Sequence, residues 1–215
     1  SGTEINANIA LYPYEDNLTC SGISVPDEKS DKVSYLISNV TISEIQDYAE
    51  NSFSSGAFAM VAVTNSLSDH NLRFRNVLGA LELRLCGNCV VKSITVQGNN
   101  NELLAGSSSI VATPGDVPKI SIYEEGAKSV MLDCGEGVML DPTNPTRFIF
   151  ALPPVNFTKG FTVTVVDSQD NEMVINNKAS NRVLRSTILK MPKLTIPLQG
   201  DADNILFEDP IIENL

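Results

Sequence analysis

The chain has 215 residues, 42% hydrophobic and 19% charged, which excludes a disordered polymer and suffices for one large β domain or two small sandwiches. Its 26 acidic and 15 basic residues give a net charge of −11, so nucleic acid and anionic membrane faces would be repelled. No apolar run approaches the ~18 residues of a membrane-spanning helix, and Ser1-Gly2 reads as a processing or cloning scar.

In chain order, short runs rich in Val, Ile, Thr and Phe alternate with Gly, Asn, Asp and Pro, the pattern of an all-β sandwich. Strands are expected at 9–14, 57–64, 104–113, 129–132, 147–152, 161–166 and 173–175, and residues 183–191 close or flank a sheet. Segment 43–51 is the best helix candidate, with Ser43 as N-cap and Gln46 completing a capping box; an extended crossover is the alternative.

The spacing of 77–86 and 89–97 around Gly87-Asn88 predicts a two-residue hairpin with Leu85 opposite Val90, Leu83 opposite Lys92 and Leu81 opposite Ile94. A second hairpin is expected where 161–167 and 172–176 flank the polar turn Ser168-Gln169-Asp170-Asn171. A boundary in the polar loop 69–73 divides the chain into an N-terminal β domain 1–71, truncated or partial, a C-terminal β-sandwich 72–196, and a tail 197–215. That tail carries Ile205, Leu206, Phe207, Ile211 and Ile212, apolar enough to need a partner.

Cys86 and Cys89 have the spacing of a redox pair, but redox chemistry wants a helix N-terminus to lower the thiol pKa, and this pair flanks a turn. Residues facing each other across such a turn lie about 5.5 Å apart at Cα, within reach of a disulfide; a bridge and free thiols both stay open. Cys20 and Cys134 lack the close second pair a zinc site requires, and the lone His70 sits in a polar turn rather than in a triad. No convergent acid and base are visible, so no catalytic residue, metal or cofactor is expected and the chain is read as not an enzyme. Its five tyrosines without tryptophan make a poor sugar-stacking platform.

Four stretches then stand in order: Ala10-Leu11-Tyr12-Pro13-Tyr14; Gln46 to Phe53 leading into Ala59-Met60-Val61-Ala62; Leu72 to Gly79 continuing through Val91 to Val96; and Phe148 to Pro154 with Lys159-Gly160-Phe161, then Arg185-Ser186. In these the chain resembles the fimbrillin-type surface and pilus proteins of Bacteroides over roughly residues 9–194.

The resemblance implies tandem transthyretin-like, immunoglobulin-like β-sandwiches. It also implies export as a lipoprotein to the outer membrane surface or fimbrium, and a role as pilus or adhesin subunit joined to other subunits by β-strand addition, with no cofactor. Ile205, Leu206, Phe207, Ile211 and Ile212 are then the candidate donor strand. Two departures stand out: the family's usual lipoprotein cysteine and first strands do not precede the Tyr-Pro-Tyr segment, and the tail runs past the point where many relatives stop. The other function class is a monomeric outer-surface protein that binds glycan or host protein without polymerising.

Overall fold

A computed structural model describes residues 4–23, 33–196 and 210–215. Every regular element among them is a β-strand, as the alternating and β-branched runs predict. The chain is an all-β sandwich protein.

Two sheets carry most of the N-terminal portion. The smaller places β5 (Met60–Val63) between β1 (Ile9–Tyr12) and the two-residue β6 (Arg75–Asn76), all antiparallel. The larger runs in the order β10 (Lys119–Ile122), β9 (Gly106–Ala112), β3 (Ser34–Ile42), β2 (Thr19–Ile23). Strand β3 does not show in the residue pattern, and its geometry shows why. Strict alternation would put Val40 and Ile42 on the face opposite Tyr35 and Ile37. The register shifts between Ser38 and Val40, where Asn39 takes a left-handed φ of 64°. That extra residue returns all four apolar side chains to the buried face.

The C-terminal portion is built on a five-stranded and a four-stranded sheet. The first runs β15 (Glu172–Asn177), β14 (Phe161–Asp167), β8 (Val90–Gly98), β11 (Ser129–Met139), β4 (Ile45–Asp47), with β4 parallel to β11. The second runs β12 (Thr146–Leu152), β7 (Gly79–Cys86), β17 (Thr187–Thr195), β18 (Ile211–Asn214), with β7 parallel to β17. A small ribbon pairs β13 (Val155–Phe157) with β16 (Asn181–Val183). Leu81, Leu83, Ile94, Val96, Phe148 and Phe150 meet in the core with no exposed surface. Each such side chain contributes on the order of 2 kcal/mol by leaving water. The same continuous core takes in Val40, Val61 and Ile110 from the first two sheets.

Three expectations are corrected. The hairpin of 77–86 with 89–97 does not form: β7 lies between β12 and β17, whereas β8 lies between β14 and β11. Gly87-Asn88 instead arches from one sheet to the other, held where Gly87 N–H donates to the Asp141 carbonyl and Leu140 N–H to the Cys89 carbonyl, both at 3.0 Å. The helix at 43–51 is also absent. Gln46 does not cap a helix; its side-chain amide donates to the Ala151 carbonyl at 2.8 Å and accepts from the Ala151 N–H at 2.9 Å, standing in for a strand at the edge of β12. Finally, the division at residues 71 and 72 is crossed by the sheets, since β9 and β10 return to pair alongside β3. The second expected hairpin forms as β14 with β15, its turn closed by the Asp167 carboxylate accepting the N–H groups of Gln169 and Asn171.

Candidate functional site

An exposed sheet edge offers unpaired backbone groups, so the edges are where a β protein can take on a partner. At one side of the N-terminal sheets, β1 and β2 are both edge strands, joined by residues 13–18. That crossover is pinned to β3: Glu15 Oε2 accepts the Thr41 N–H at 2.9 Å, and Asn39 Nδ2 donates to the Asn17 carbonyl at 3.0 Å. Between the two strands lies a groove of about 420 Å³, lined by Ala7, Ile9, Leu11, Leu18, Cys20 and Ile37. Ile9, Leu11, Leu18 and Cys20 are half-buried and pack on the core while keeping one side open.

The backbone of β1 suits this groove. Thr64 N–H donates to the Asn8 carbonyl at 3.0 Å, which fixes the phase of the ladder with β5. Residues 10 and 12 therefore turn their polar groups toward β5, and Ile9 and Leu11 turn theirs toward the open edge. Among the described residues no strand pairs with that edge. The other end of β1 is held by Asn8, whose Nδ2 donates to the carbonyls of Leu67 and Asp69 at 3.1 and 2.7 Å. The sequence marks Leu11 within the Ala10 to Tyr14 stretch and Cys20 as a lone cysteine, but neither as part of a groove; the signal needed was that β1 and β2 are both edges.

Of the candidate donor residues, Ile205, Leu206 and Phe207 lie outside the described residues. Ile211 and Ile212 lie in β18, which pairs antiparallel with β17 of the same chain, Ile212 opposite Leu189 and Ile211 opposite Lys190. The pairing is shallow, for Ile211 is 61% and Ile212 51% exposed. It is reinforced by the Lys190–Glu213 ion pair and by Leu215 N–H donating to the Ser186 carbonyl at 2.8 Å.

Cys86 is buried and Cys89 half-buried, and both thiols are free, as are Cys20 and Cys134. The candidate bridge loses its geometric basis with the hairpin, because Cys86 ends β7 in one sheet and Cys89 immediately precedes β8 in the other. Burial raises the Cys20 and Cys89 thiols, the Asp167 charge adding to the latter, and pushes Cys134 up to about 12, with Asp133 adding to it. Thiols held so high are poor nucleophiles at neutral pH. His70 lies in an exposed turn, its carbonyl accepting the Leu72 N–H at 3.2 Å.

A second recess, of about 250 Å³, opens where β5 and β9 end. Val63 contributes half-buried apolar surface to it, with Val61 and Ala112 buried behind; Asp69, Asn71, Arg73, Arg75 and Asp116 contribute polar and charged groups. Asp69 Oδ1 accepts the Asn71 N–H at 3.0 Å, which holds its carboxyl below the usual range, with Arg73 adding to the effect. Arg75 Nη2 donates to the Gly115 carbonyl at 3.0 Å.

No protein-family model and no curated protein matches this sequence. Among solved structures the chain is similar to a "putative cell adhesion protein" from Bacteroides ovatus ATCC 8483, with a TM-score of 0.54 at 10% identity over 99% of this chain and 70% of that one. A protein of the same description from Bacteroides uniformis ATCC 8492 gives 0.49 at 11% identity over 97% of this chain and 72% of that one. At such identities what is shared with the first is the fold.

Proposed function

We propose that this protein is an exported, non-catalytic surface subunit of the fimbrillin-like adhesion class, carried on the outer membrane or in a fimbrium by a lipid anchor or by its neighbours. Its mechanism is β-strand addition. The observation that carries the reading is the apolar groove between the edge strands β1 and β2, whose β1 wall turns the backbone groups of Ile9 and Leu11 outward. A neighbour's extended segment laid along β1 would satisfy those groups and fill the groove with alternate apolar side chains. The fold shared with a protein described as a cell adhesion protein supports the surface role.

The donor in this scheme is a tail such as 198–215. Its described strand, β18, sits at a sheet edge with every residue exposed, so little apolar burial is lost when it leaves. A Leu11→Lys, Leu18→Lys double variant tests the groove. Loss of self-association in sedimentation velocity, with a cooperative unfolding transition retained, supports the reading; self-association equal to the parent overturns it.

One observation favours a second reading: β18 is paired within its own chain. A subunit that completes its own sheet would act as a monomeric surface binding protein for glycan or host protein, and a tail locked to β17 that leaves function intact would select it.

A further inference from the structure

The recess at the ends of β5 and β9 is separate from the strand groove and shares no lining residue with it. Its chemistry is unusual for this molecule. In a chain of net charge −11, two of the 15 basic residues, Arg73 and Arg75, line one small space. Arg73 lies two residues before Arg75, the first residue of β6, and both line the recess.

Their surroundings are ordered in advance. Asn8 Nδ2 bonds the carbonyls of Leu67 and Asp69, fixing the loop that leads to Arg73. Arg75 spends one donor on the Gly115 carbonyl and keeps the rest of its planar fork. Around the guanidinium groups stand acceptors, the carboxylates of Asp69 and Asp116, with the half-buried Val63 as the accessible apolar side chain, Val61 and Ala112 being buried. A concave space whose exposed lining is mainly polar, with charges of both signs converging on it, suits a small polar ligand.

We infer that this recess binds the hexuronic acid residue of a glycan, its carboxylate on Arg73 and Arg75, its hydroxyls on Asp69 and Asp116, and one edge of its ring against Val63. Each part of that ligand answers one part of the recess. A guanidinium pair selects a planar carboxylate through charge-assisted, bidentate bonds. The aspartates are acceptors only and demand donors, which adjacent hydroxyls supply and a second carboxylate does not. The Asp69 carboxyl, kept low by the Asn71 N–H, stays an acceptor throughout the neutral range. A volume of about 250 Å³ lies below the ~300 Å³ at which drug-sized pockets begin, so it takes one ring and leaves the remainder of a chain in solvent.

The test is a calorimetric titration of the full chain with methyl β-D-glucuronide, methyl β-D-glucoside and glycine. Binding of the glucuronide, with the glucoside and an Arg73→Ala, Arg75→Ala variant each weaker by roughly tenfold or more, is the expected result. An Asp116→Asn variant should weaken glucuronide binding too while leaving the melting temperature unchanged. No heat with the glucuronide, equal affinity for the glucoside, or tighter binding of glycine, which would mark a zwitterion site, each overturns the inference. The Leu11→Lys, Leu18→Lys variant should bind the glucuronide normally, so failure here and failure of strand addition are read separately.

Discussion

Gly87 donates its backbone N–H to the carbonyl of Asp141 at 3.0 Å, and this bond fastens the arch between β7 and β8 to the segment that follows β11. Asp141 also works through its side chain. Its Oδ1 accepts the N–H groups of Asn144 and Thr143, both at 2.7 Å, and the Thr143 hydroxyl at 2.8 Å. One residue thus holds the arch with its main chain and the turn into β12 with its carboxylate.

The carboxylate makes that turn sensitive to acid. The Asn144 N–H, then the Thr143 N–H and hydroxyl, hold Asp141 at about 2, below its ordinary 3.8. Because the folded value is the lower one, the stabilisation is present above 3.8 and is lost as pH falls through about 2. Asp141→Ala should melt below the parent at neutral pH, and the gap should close across that window. A gap independent of pH would assign the loss to packing instead.

Glu82 is buried in the middle of β7, 1% exposed, with its Oε2 2.7 Å from Arg147 Nη2 on β12. Arg147→Met strands a carboxylate inside the protein and should cost about 3 kcal/mol in urea unfolding, toward the low end for buried pairs because the Arg147 side chain is 33% exposed. Adding Glu82→Met should recover most of that loss, since the unpaired charge goes with it. A double variant as unstable as the single would show that shape, not charge, decides this position.

The four thiols should be reduced and slow to react. Labelling at pH 8 should reach Cys20 and Cys89 first and the buried Cys86 and Cys134 last, and the unfolded chain should show all four free. A peptide bridging Cys86 and Cys89 in a mass-spectrometric digest would contradict the arch as described.

Much of the architecture could be read from the residues, and the failures have physical causes. The runs at β12, β14 and β15 announced themselves through β-branched and aromatic content, and Asp167 with Asn171 supplied recognisable turn chemistry. Gly87-Asn88 misled because a two-residue link looks the same whether the chain folds back or crosses to the facing sheet. What separates the cases is that β7 is buried on both faces, Ala80 and Glu82 as well as Leu81 and Leu83, a sign of a central strand flanked by two others. Asn39 hid β3 by breaking its alternation, and Gln46 passed for a cap because its true partner, Ala151, is 105 residues away. The groove and the Arg73–Arg75 recess were illegible for a related reason: each is a meeting of chain segments distant in sequence.

The most direct test of strand addition is the mass of the full chain and of a chain lacking residues 198–215, by light scattering after size separation. Strand addition predicts concentration-dependent association of the full chain that disappears with the tail, while the sandwich core keeps its fold. A monomer in both cases, at every concentration reached, would contradict it and leave a self-contained surface binding protein.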